Sequence, residues 1–309
     1  MKARKSNLIQ IAILAALGLA VILSLVLPQF LRGRREPQLL SLSVMLRDTD
    51  SSGWGAARQG MEQAADELGA ELRILTLTTA NDSAEQETLL LREIDGGAAA
   101  LVAVPADPAA LSAALGSWLV VCPAVTLESP MGGAAGVVAP DNALLGRRLA
   151  EALLEDWDGG AVLLLDTAQN RTGVAERLAA AEEALAGAGV PVFRKEALPE
   201  EACRWVMAFE PAATQRTAER KEAEGLDFAL YGVGTATAIT AQLERGSIRA
   251  MAAWSDYAAG YLAVRRAVNA VRGETEDLTP LPFSILRGED IYAPENQKLL
   301  FPVMSSSGR

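Results

Sequence analysis

Apolar and polar positions change period repeatedly along this chain. Between Leu42 and Leu75 an alternating run, SLSVML, passes into a polar turn, RDTDSSGW. There follow GAARQGMEQAADELGA, with apolar positions three and four apart, and ELRIL. Period two predicts strands and period 3.6 a helix, so the stretch reads strand, turn, helix, strand. The same alternation predicts strands at 40–46, 71–77, 99–104, 118–126, 135–139, 161–166, 190–195, 204–209, 227–232 and 248–253. Helices are expected near 54–69, 83–95, 108–116, 142–156, 172–187, 212–224, 235–245 and 256–272. Such alternation implies βαβ units and parallel sheets. The strands are too many for one core and the pattern restarts near Gly136, so two doubly wound α/β lobes are expected.

One segment stands outside this pattern. Leu8–Leu27 is apolar apart from Gln10, Ser24 and small residues. At 1.5 Å per residue such a helix spans roughly 30 Å, the depth of a bilayer core. LPQFLRGRREPQ follows and offers no small-x-small cleavage site, which predicts a retained signal anchor rather than a cleaved leader. Three basic residues lie on each side, so flanking charge barely decides the topology. The expected organisation is a basic end (1–7), a transmembrane anchor (8–27) and a linker (28–38). A first lobe (39–127 with 257–281), a second lobe (128–256 with 282–303) and a disordered tail (304–309) complete it.

Composition narrows the chemistry. Net charge is −11 over 309 residues, and residues 1–35 hold six basic side chains and no acid, so the globular part is more acidic still. No basic stripe offers itself to nucleic acid. Histidine is absent. That removes His-based triads, His general bases and the commonest zinc ligand. Cys122 and Cys203 read as small buried apolar residues, with one disulfide open as an alternative. No cofactor or metal site is indicated.

Candidate chemistry gathers at strand ends, where open α/β sheets bind ligands. The first turn holds Asp48, Asp50 and Trp54. Later strands end in Asp107, Glu128, Asp141, Glu210 and, after MAAW, Trp254 with Asp256. Singly, Asp107 and Asp141 read as helix N-caps. Collected at one edge of two facing sheets, Asp48, Asp50, Asp107, Glu128 and Glu210 would form a polar cleft walled by Trp54 and Trp254. Indole faces beside carboxylates suit a small polyhydroxy solute, and equally a small amine held by charge and cation–π contact.

From Leu40 to about Val303 the chain resembles type I periplasmic binding proteins of the ribose and galactose kind. The segments that carry the resemblance are VMLRDTDSSGWGAARQGMEQAADELGAEL, LVAVPADPAAL, VVAPDNALLGRRLAEAL, LYGVGTATAITAQLERGSIRAMAAW and AAGYLAVRRAVNAVRGE. The ending YAPENQKLLFPV is similar to Gram-positive members. The resemblance implies two lobes joined by three hinge crossings, near 127–130, 255–257 and 279–283, with a sugar between them. It implies a stacking role for Trp54, a sugar-binding carboxylate at Asp107 and a ligand contact at Trp254. The second-lobe arginine common in sugar binders is replaced by Ala175, whereas Arg177 matches a structural helix arginine. The turn after DFALYG carries Val233-Gly234 in place of an aspartate. The span from Val192 to Trp205 is too short for the usual helix.

No enzyme is expected. Gly232-Val-Gly234 lacks the third glycine of a dinucleotide fingerprint, and neither a phosphate-binding loop nor a nucleophile elbow occurs. The expected role is capture of a small polar solute, a sugar foremost, for an ABC permease. The alternative is a membrane-anchored sensing partner of a histidine kinase. In both, the globular part lies outside the cytoplasm on a single-pass anchor.

Overall fold

In the computed structural model, β1 (Leu40–Met45) lies in a parallel sheet with β2 (Ala70–Leu75), β3 (Ala100–Ala103), β4 (Ala124–Leu127) and β5 (Gly136–Val138), in the order β2-β1-β3-β4-β5, with β3 central. The structure describes residues 39–49, 51–167, 170–200, 203–274 and 278–300. The expected anchor, linker and tail, together with Asp50, lie outside the described residues. Among the described residues no helix is long and apolar enough to cross a membrane. Leu40–Arg309 forms a compact unit of its own.

The second sheet comprises β6 (Val162–Leu165), β7 (Val192–Lys195), β8 (Trp205–Ala208), β9 (Ala229–Val233), β10 (Ala250–Trp254) and β11 (Phe283–Leu286), ordered β11-β10-β9-β8-β6-β7. Among the described strands of this sheet only β11 runs antiparallel. Short apolar runs such as VLLL and WVMA are buried throughout, as parallel strands covered on both faces must be.

The helices are α1 (Gly55–Leu68), α2 (Ser83–Asp95), α3 (Pro108–Leu115), α4 (Asn142–Asp156), α5 (Thr172–Gly187), α6 (Pro211–Glu224), α7 (Thr237–Glu244), α8 (Asp256–Arg272) and α9 (Pro294–Leu300). Their starts follow capping chemistry: Asp82, Asp107, Asp141 and Ser255 accept hydrogen bonds from amides of the first turns. α1 and α8 cover one face of the first sheet, and a Cβ on Gly260 would stand 1.9 Å from the Ala57 carbonyl oxygen. Leu90, Ile94, Leu111 and Leu115 of α2 and α3 cover the other face, against Met45, Leu101 and Ala103.

Strand pairing corrects one boundary. The strand at 136–138, expected to open the second lobe, pairs with β4 (Val125↔Gly136, Leu127↔Val138) and closes the first sheet. The first crossing therefore falls at Ala139–Asp141, not 127–130. There Pro140 bridges Leu281, and the Leu281 amide donates to the Ala139 carbonyl at 2.9 Å. The other crossings fall at Ser255, between β10 and α8, and just before β11. The expected strand 118–126 is also divided: a 3₁₀ turn (Gly116–Val120) precedes β4, because Pro123 supplies no ladder donor.

Candidate functional site

The carboxyl ends of both sheets face a cavity of about 300 Å³ between the lobes, at the small end of ligand pockets. The first lobe contributes Arg47, Asp48, Trp54, Leu127 and Glu128. The second contributes Arg177, Gln215, Thr235 and Trp254, and Asp256 opens the hinge helix α8.

Each polar group is held by its neighbours. The Trp54 indole N–H donates to Asp48 Oδ2 at 2.7 Å, fixing the ring at the entrance to α1, and the Arg47 guanidinium stands 5.9 Å from the Trp54 ring. Arg47 also pairs with Glu128. Glu128 occupies the left-handed region (φ 68°), a conformation side chains adopt at an energetic cost. This turn aims its carboxylate between two guanidinium groups. Burial alone would raise the Glu128 carboxyl, but Arg47, Arg177 and Arg171 hold it below its ordinary range.

Arg177 is fully buried. Its Nε donates to Asn142 Oδ1 (2.7 Å) and Nη1 to the Phe209 carbonyl (3.1 Å), with Glu128 Oε1 at 3.6 Å. Its guanidinium lies 4.9 Å from the Trp254 ring, and Nη2 has no hydrogen-bond partner. Burial pulls this guanidinium below its ordinary pKa, with Glu128 opposing. Across the cavity, Thr235 Oγ1 donates to Asp256, whose carboxyl burial pushes up to about 6, with repulsion from Glu128 adding to the rise.

Of the expected ligand residues, Asp48, Trp54, Glu128 and Trp254 line the cavity, and Asp107 and Glu210 do not. Asp107 Oδ1 caps α3 through the Ala109 and Ala110 amides, and Oδ2 accepts from Asn170 of the opposite lobe at 2.5 Å. Glu210 is buried in an ion pair with Arg171. Asp107 is thus an interlobe contact and Glu210 a support beneath the floor. Arg47, Gln215 and Thr235 were not anticipated. Arg47 and Glu128 are 81 positions apart and no local pattern marks their pairing. The interlobe seam is close: a Cβ on Gly173 would lie 2.2 Å from the Glu128 carbonyl oxygen, and the Gly173 amide donates to Ser129 Oγ at 3.1 Å.

Two sheets, three crossings and a polar cavity between the lobes define a two-lobed solute-binding fold. Residues 42–275 match the periplasmic binding protein domain, and the chain belongs to that family. Its members bind solutes and are not enzymes. Among solved structures, a carbohydrate transporter solute-binding protein from Agrobacterium radiobacter in complex with D-arabinose superposes with a TM-score of 0.77 at 16% identity, covering 86% of this chain and 100% of that one. The periplasmic component of an ABC-type sugar transport system from Hahella chejuensis gives 0.75 at 21% identity, covering 80% and 99%. A chain of the XylFII–LytSN complex gives 0.71 at 14% identity, covering 82% and 100%. No curated protein is detectably similar in sequence.

Proposed function

We propose that this chain is a membrane-tethered extracytoplasmic receptor that delivers one small polyhydroxy solute, a monosaccharide or sugar alcohol, to an ABC-type permease. The supporting observation is the balance of groups in the interlobe cavity. Asp48, Glu128 and Asp256 offer acceptors, the Arg47 and Arg177 guanidinium groups line the same cavity, and Trp54 and Trp254 supply apolar walls. Ring hydroxyls both donate and accept, and the C–H face of a sugar suits an indole. A small amine fits less well, because Arg47 and Arg177 reach the same cavity and repel a cation.

A thermal-shift panel of monosaccharides, sugar alcohols and amines on residues 39–309 tests this. A ligand at 100 times its Kd stabilises a protein by about 2.7 kcal/mol. Stabilisation by amines alone, or by nothing in the panel, would sink the polyol reading. The structural likeness to a chain of the XylFII–LytSN complex supports a second reading, a sensing partner. Crosslinking in membranes separates the two: a permease subunit is the expected product, and a kinase would favour sensing.

A further inference from the structure

We infer that the pole of the first lobe farthest from the cleft rests on the bilayer surface, through an apolar patch formed by Trp118, Val120 and Val121. Trp118 is 44% exposed, Val120 86% and Val121 72%, although WLVV reads in sequence as a core strand. The patch is built, not frayed. The Val121 and Cys122 amides both donate to the Trp118 carbonyl, at 3.0 and 2.9 Å, and Cys122 Sγ donates to the Ala98 carbonyl at 3.2 Å.

Its position is set by the sheet. α3 runs back from the cleft, so the turn that follows it lies where β3 and β4 begin; the Leu101 amide donates to the Pro123 carbonyl there. β1 begins at the same edge, the Ala99 amide donating to the Ser41 carbonyl at 2.7 Å. Two strand spacings, roughly 10 Å, separate the starts of β1 and β4. The described chain therefore begins beside the patch, at Leu39, which is itself 53% exposed. Four of the seven exposed large apolar side chains among the described residues thus share one pole.

Where the chain enters identifies the occupant. The linker 28–38 reaches at most roughly 40 Å when extended, so an anchor at Leu8–Leu27 keeps this pole within reach of the bilayer. Tethering supplies a high effective concentration, so a weak contact suffices. A tryptophan flanked by aliphatic side chains is the residue type that seats in the headgroup region. Nearby charges are of both signs, Glu71 and Asp95 with Arg92, all exposed. Apolar insertion, not attraction to anionic lipid, is the driving term, and the contact is insensitive to salt.

The inference rests on the tether reading, and one experiment separates them. The full chain is reconstituted in phosphatidylcholine vesicles containing acyl-brominated phosphatidylcholine. Pelleting with vesicles after an alkaline wash reports the tether. Quenching of tryptophan emission that disappears in Trp118→Phe, falls several-fold in Val120→Asp/Val121→Asp and persists in 0.5 M salt reports the patch. Val120→Asp/Val121→Asp should leave the melting temperature unchanged, since both side chains are largely exposed. Pelleting without Trp118-dependent quenching overturns the patch and leaves the tether standing. Failure to pellet overturns both. Concentration-dependent self-association in sedimentation, abolished by Val120→Asp, would assign the face to a second copy of the chain and also overturn the inference.

Discussion

Glu128→Gln should be among the most destabilising single changes in the cleft. Its carboxylate is 10% exposed and stands between the 7%-exposed side chain of Arg47 and the fully buried Arg177. The amide keeps the size and an acceptor but removes the charge, leaving two buried cations facing one another. Breaking a buried pair from one side costs about 3–5 kcal/mol, because the surviving charge is desolvated without compensation. A unit of this size loses about 2–4 °C per kcal/mol, so the melting temperature of residues 39–309 should fall by roughly 6–20 °C. Adding Arg177→Met should recover part of the loss by deleting one stranded cation. Glu128→Gly should be no worse than Glu128→Ala: it relieves a left-handed residue worth roughly 1–2 kcal/mol and forfeits some of this to unfolded-chain entropy. Calorimetry on the four variants is the assay. A Glu128→Gln protein within 1 kcal/mol of wild type, or a double variant less stable than the single, would refute the buried-charge argument.

Three further outcomes are expected. Trp54→Ala should weaken binding of the cognate solute about tenfold to a hundredfold in titration calorimetry, by removing a wall of the cavity; unchanged affinity would make Trp54 a packing residue. Asp107→Ala should lower stability by about 1 kcal/mol in denaturant titration through loss of the α3 cap, whereas Asn170→Ala should leave that cap and its stability intact and alter only lobe closure, read by small-angle scattering. Asp256, raised to about 6 from an ordinary carboxylate value near 3.8, binds its proton more tightly when folded. Its contribution to stability is fully present below pH 3.8 and is lost as pH rises through 6; Asp256→Asn should remove that component from the pH profile of the melting temperature, and an unaltered profile would deny the shift.

The hydrophobic period alone determined the βαβ order and eight helices whose ends fall within a residue or two of those observed, because capping residues and apolar spacing act locally. The same periods could not assign β5. GVV reads equally well as the end of one lobe or the start of the next, and only its pairing with β4 places it. WLVV shows the converse: its composition demands burial, and only the 3₁₀ turn before Pro123 shows it exposed. Strand ends drew attention to Asp48, Trp54, Glu128 and Trp254, which line the cavity, since parallel sheets present those ends on one edge. They drew equal attention to Asp107 and Glu210, which do not line it; those carboxylates are engaged by the α3 amides with Asn170 and by Arg171. The pairing of Arg47 and of Arg177 with Glu128 was legible only in three dimensions. Arg47 meets Glu128 because the strand ends of the first sheet converge, and Arg177 meets it only where the second lobe faces the first; no local pattern of side chains encodes either distance.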